Sequence, residues 1–205
     1  MDIDLRMREW SQTVYGVAHS LNIAQGVKLG NLDTLLESLV AADAWNASDL
    51  GFTSNLPARG FKDGDIRLDG RDHAEVFANL AENIVRILFV NLAVLADECL
   101  ANLIGAVGIK PPNYLTSKAE WVKANLDQKH AWAANGLLEL CAIRNALVHA
   151  NGHLNASAVA LLVKAEVAVA RAGHQVRLSF GDLFRYRRAV PPPLWGGQRL
   201  SAAGT

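Results

Sequence analysis

Apolar residues recur along this chain at spacings of three and four, the period of a helix with one buried face. Leu5, Trp10, Val14 and Val17 predict a first amphipathic helix over residues 3–20, broken by Gly26 and Gly30. A cap at Asn31 or Asp33, followed by Leu35, Leu36, Leu39 and Val40, predicts a second helix over about residues 33–46. The pattern then fails. Residues 47–72 hold four glycines, a proline and many turn formers, which predicts a long irregular loop with a short strand or hairpin around Ile66 and Leu68. A loop of that length in a compact domain is either functional or a wrapping surface segment.

The longest helical pattern covers residues 73–107, has no proline, and is apolar nearly all round between residues 84 and 95, so it should be the central buried helix. Gly105, Gly108 and Pro111-Pro112 end it. Ser117 and Glu120 have capping-box spacing and start a short helix to about Leu126. Residues 129–150 form the next helix, whose second half reads LLELCAIRNALVHANG and stops on Asn151-Gly152. Asn155 caps a further helix through about Ala170, residues 175–180 alternate like a short strand, and residues 182–188 make a last helical turn or two. The tail from Pro191 is rich in proline and glycine and should be flexible. The expected architecture is all-α: one domain over residues 1–190, an antiparallel helical bundle with a flexible tail over 191–205.

Composition supports a folded chain: 205 residues, 51% hydrophobic and 20% charged. The net charge is zero but unevenly spread. Residues 1–109 carry 8 basic and 15 acidic side chains, residues 110–205 carry 12 and 5. That asymmetry steers an anionic partner to the C-terminal half, holds two halves or two subunits together, or is a dipolar solvated surface. In the same half, Arg177, Arg185, Arg187 and Arg188, with Tyr186, are either an approach surface for RNA or a solvated basic face. Cys99 and Cys141 lie inside apolar helical patterns with no CxxC spacing, which points to reduced thiols and to neither a metal site nor a cofactor. The N-terminus MDIDLRMREW does not read as a signal peptide. Arg86, Asn91, Asp97, Glu98 and Asn102 interrupt the most apolar run, which argues against a membrane span and for a soluble, cytoplasmic protein.

Three polar residues in the 137–152 stretch have no obvious role in a helix: Arg144, Asn145 and His149. On a wheel of about 100° per residue, centred on Leu140, the residues Leu137, Ile143, Leu147 and Val148 define the core face, with Arg144 inside it at about 40°. Asn145 and His149 fall together on the opposite side, one turn apart. A buried-face arginine needs a partner, so the structural alternative is an ion pair with Glu98 or Asp97. For His149 the alternative is a favourable place in the last helical turn.

The segment IRNALVHANG resembles the signature of HEPN domains (higher eukaryotes and prokaryotes nucleotide-binding): an arginine, four to six residues, then a histidine, with a polar residue after the arginine. Here these are Arg144, Asn145 and His149, and the trailing Ala150-Asn151-Gly152 matches many bacterial members. The resemblance covers residues 137–152. It implies a helical bundle that dimerises and, in many members, cleaves RNA without metal, as in toxin–antitoxin or phage-defence systems. Arg144 would hold the scissile phosphate, His149 would move the proton of a ribose 2′-hydroxyl, and Asn145 would orient the imidazole or contact the phosphate. The expected partners are RNA, a second copy of the chain and an antitoxin protein. The alternative within the same resemblance is a non-catalytic dimeric module that binds a nucleotide or a protein. On the wheel Arg144 and His149 stand about 140° apart, so they should converge poorly within one chain and meet instead across a two-fold axis in a composite site.

Overall fold

A computed structural model describes residues 2–24, 73–168 and 171–190. The expected helix over 33–46, the loop over 47–72 with its short strand, and the tail over 191–205 lie outside the described residues. The chain divides into two compact units, Met1–Ala18 with Ala81–Thr205, and His19–Leu80. Of the second unit, only the end of the first helix and the start of the second are described.

The described residues are helical, as the periodicity predicts. The helices are α1 (Ile3–Ala24), α2 (His73–Ala106), α3 (Leu115–Asn125), α4 (Ala131–His149, entered through a 3-10 turn over Gln128–His130), α5 (Ala156–Lys164) and α6 (Phe180–Ala189). In the larger unit one core joins them. Val85, Phe89, Leu92, Ala96 and Leu100 of α2 bury one stripe at spacings of three and four. Met7, Trp10 and Val14 of α1 belong to the same core, and the Trp10 indole N–H donates to the Leu88 carbonyl at 3.1 Å. From α6 come Leu183 and Tyr186, whose ring meets Phe89 edge-on at 5.2 Å.

Among the described residues α4 is buried more completely around its axis than α2, although α2 also feeds the core along much of its length. Helix α4 packs against α3, α5 and α6, and buries Ala133, Leu137, Leu138, Leu140, Cys141 and Ala142 all round its axis. On α2, by contrast, Ile87 is 69% exposed and Val94 is 50% exposed, one heptad apart on the same stripe. By length and mean hydropathy (1.8) Ala78–Ala106 is apolar enough to cross a membrane, and half of that window is buried inside the molecule. Close approach of α4 to α6 depends on Gly136, where a Cβ would stand 2.6 Å from the Ala189 Cβ.

Several boundaries differ from the sequence prediction. Ser117 does not cap α3; the helix begins after Tyr114, with no side-chain cap, and Glu120 bonds Lys164 of α5. Asn155 does cap α5, accepting from the Ala158 N–H at 2.9 Å, but the helix stops at Lys164, and Glu166 turns the chain at φ 65°. The expected strand over 175–180 is a single antiparallel bridge between His153 and Gln175. Among the described residues it pairs with the short link after α4, which offers the Gly152 carbonyl and the Leu154 N–H and then turns into α5, so no ladder extends there. The last helix is longer than residues 182–188, because Ser179 and Asp182 form a full capping box ahead of it.

Candidate functional site at the end of helix α4

The last two turns of α4 pass from core to solvent. Ile143 and Ala146 are buried, Arg144 and Asn145 half-buried, and Val148 and His149 exposed. Val148, at 45% exposure, therefore does not belong to the core face; Cys141, Ala142 and Ala146 take that place because neighbours cover α4 from more than one side. The helix ends as its sequence requires. Asn151 (φ 48°) and Gly152 (φ 81°) both adopt the left-handed region, and the Gly152 N–H returns to the Ala146 carbonyl at 2.9 Å. A Cβ at 152 would stand in van der Waals contact with the Arg86 guanidinium, 3.4 Å from its Nη2, so the strain of a side chain there comes from the positive φ.

Arg144, Asn145 and His149 converge within one chain. The Arg144 Nη1 stands 3.2 Å from the Asn145 Oδ1 and 3.0 Å from the His149 Nε2. This corrects the wheel argument for a two-fold site. A wheel gives Cβ directions only, and the long arginine stem spans the remaining arc around the helix. Guanidinium groups donate and never accept, so in this geometry His149 Nε2 is the unprotonated ring nitrogen and the proton sits on Nδ1.

The ion-pair alternative for Arg144 also fails. Asp97 Oδ1 is taken by Lys118 at 2.7 Å, and Glu98 Oε2 by Arg6 of α1. Lys118 is only 5% exposed, so burial holds that pair in place. Arg144 is left with no carboxylate partner among the described residues.

Beside this trio lies a cavity of about 620 Å³. Val90, Val94, Asp97 and Glu98 of α2 form one wall, residues 113–117 another, and Cys141, Arg144 and Asn145 of α4 the third. His149 stands outside this lining, so Arg144 is the residue shared by the cavity and the exposed imidazole. Burial, opposed by a hydrogen bond from Thr116, pushes the Cys141 thiol up to about 12 from its ordinary 9.0, and burial raises Cys99 to about 11. Neither thiol is a nucleophile at neutral pH.

No protein-family model, curated protein or solved structure matches this chain.

Of the C-terminal basic residues, Arg177 and Arg185 line one pocket together with Glu139 and Asp182. Arg185 pairs with Glu139 at 3.1 Å and lies over the Tyr186 ring. Tyr186 itself is buried, with its hydroxyl donating to the same carboxylate at 2.9 Å; burial, with the Glu139 charge beside it, pushes that hydroxyl well above its usual range. Only Arg177 and Arg188 of the four arginines are exposed without an ion-pair partner among the described residues. Sequence reasoning missed Tyr114, Lys118, Arg6 and Arg86 near the site. No spacing relates these residues to Arg144, and helix packing alone assembles them.

Proposed function

We propose that this protein is a HEPN-like endoribonuclease that cleaves RNA by attack of a ribose 2′-hydroxyl, with Arg144, Asn145 and His149 as its catalytic group. The observation that carries the reading is Arg144: a half-buried guanidinium with no carboxylate partner among the described residues, held 3.0 Å from an exposed imidazole at the mouth of a cavity. An unmatched buried-face cation is costly unless an anion arrives, and a phosphodiester is the anion that a planar guanidinium holds in two-point fashion. As Arg144 turns to the phosphate it releases His149 Nε2, which takes the 2′-hydroxyl proton; the 2′-oxygen bonds to phosphorus, and the bond to the 5′-oxygen breaks. Arg144 stabilises the extra negative charge on the phosphoryl oxygens as it develops. Asn145 accepts from the guanidinium and fixes its plane.

One imidazole cannot be base and acid in the same instant, so the leaving 5′-oxygen takes its proton from water or from a second copy of the chain. The homodimer, without the requirement for a composite site, is taken from the resemblance of residues 137–152. The toxin or phage-defence setting, with an antitoxin partner, follows from the resemblance of residues 144–152.

Incubating the full chain with single-stranded RNA in chelating buffer tests the reading. The products should carry 2′,3′-cyclic phosphate and 5′-hydroxyl ends, and DNA should remain uncut. Arg144→Ala should slow cleavage by about 10²- to 10³-fold, and His149→Ala by about 10²- to 10⁴-fold. A wild type that binds RNA or nucleotide and leaves it intact makes the protein a non-catalytic binding module instead.

A further inference from the structure

The cavity beside Arg144 is not built as a phosphate channel. Asp97 and Glu98 stand in its wall, where a polyanionic backbone would meet them unfavourably. Each carboxylate is half used: Asp97 Oδ1 takes Lys118 and Glu98 Oε2 takes Arg6, while the second oxygen of each has no partner among the described residues. These are acceptors whose charge is already balanced, side by side on one helix. They suit a ligand edge made of N–H donors rather than a cation.

The remaining lining suits a flat heterocycle. Val90 and Val94 are apolar, and Tyr114 at the rim is 76% exposed with no ring partner among the described residues. Asn113 and Asn145 bring amide donors. The volume of about 620 Å³ falls among small-molecule sites and holds a nucleoside rather than a bare ion.

We infer that this cavity is a nucleobase pocket selective for guanine, seating the base whose attached phosphate lies on Arg144. The inference takes its substrate class from the nuclease reading, but its test does not depend on cleavage. Guanine presents N1–H to the free Asp97 oxygen, its 2-amino group to the free Glu98 oxygen, and its O6 to an asparagine amide. Adenine and cytosine offer a single amino nitrogen and uracil a single imino N–H, so none presents two adjacent N–H nitrogens along one edge as guanine does. Tyr114 stacks on the base, as exposed aromatic side chains do in single-strand recognition.

Calorimetric titration of the full chain with guanosine 3′-monophosphate, against the inosine, adenosine, cytidine and uridine 3′-monophosphates, tests the pocket. Guanosine should bind about 10- to 100-fold more tightly than inosine, which lacks only the 2-amino group. Glu98→Gln should abolish that difference while leaving phosphate-dependent binding in place. Asp97→Asn should instead weaken guanosine and inosine alike, because both carry N1–H, and since it also leaves Lys118 buried without its counter-charge, Glu98→Gln decides the matter. Equal affinity for all five nucleotides, or a preference that survives Glu98→Gln, overturns the inference. Guanosine preference without RNA cleavage sinks the nuclease and keeps the pocket. Cleavage at every sequence without nucleotide preference does the reverse.

Discussion

Arg144 owes its state to what its neighbours already hold. Glu98 and Asp97 are the nearest candidates for an ion pair by sequence reasoning, yet Arg6 and Lys118 occupy them, so the guanidinium turns to Asn145 and His149. The three polar residues were legible in the sequence because a helix has no use for them. Their contact was not, because rotamers of a long side chain are set by what fills the surrounding space. A second residue-scale dependence lies at Gly152, which ends the helix carrying His149. It combines φ 81° with a Cβ position 3.4 Å from Arg86 Nη2. Gly152→Ala should lower stability by about 1–2 kcal/mol, the cost of a left-handed backbone with a Cβ. A denaturant midpoint equal to wild type would show that the turn relaxes freely.

At the scale of elements, two Ser-x-x-acid spacings behave differently. Ser179 and Asp182 form a reciprocal box at the start of α6, whereas Ser117 and Glu120 lie inside α3. The first is local and complete in itself. The second is overridden because the chain leaving Pro111-Pro112 is still extended at Tyr114 and can enter the helix three residues earlier, while Glu120 reaches Lys164. Ser179→Ala should therefore cost about 1 kcal/mol in urea unfolding, whereas Ser117→Ala should stay within about 0.5 kcal/mol of wild type. Reversal of that order would mean the boundaries of α3 are wrong. Helix proximity can be tested at Gly136. A Cβ there overlaps Ala189, so Gly136→Ala should destabilise by about 1–3 kcal/mol even though alanine is the better helix former. Stabilisation would show that α4 and α6 are not in contact.

At the scale of the whole molecule, the core holds proton-bearing groups that resist ionisation. Cys99 is raised to about 11 and Cys141 to about 12 from 9.0, both chiefly by burial, and Tyr186 is raised as well. Below pH 9 the thiols are neutral in the folded and unfolded chains alike, and their contribution is fully present. Above pH 9 the unfolded chain releases its protons first, so stability falls until the folded values are reached. The melting temperature should hold level between pH 7 and 8.5 and then decline, Cys141 contributing up to about 1.4 kcal/mol per pH unit. Cys141→Ala should shallow the decline measured by calorimetry up to pH 11. An unchanged slope would place the alkaline sensitivity elsewhere.

Helix periodicity and end signals are local properties of a chain, and they were enough to predict α1, α2, α4 and the Asn151-Gly152 stop. They also marked Arg144, Asn145 and His149 as candidates. Only the tertiary structure decided which helix is enclosed, since burial depends on how many neighbours surround an element and not on its own apolar content. Val148 and Ile87 are apolar and exposed; α4 is covered on several sides. The tertiary structure likewise decided which carboxylates were already engaged, and so that Arg144 stands at a cavity without a carboxylate partner among the described residues. Partners drawn from four separate stretches of chain (Arg6, Asp97 with Glu98, Lys118 and Arg144) meet there through packing, and no pattern along the sequence encodes that meeting.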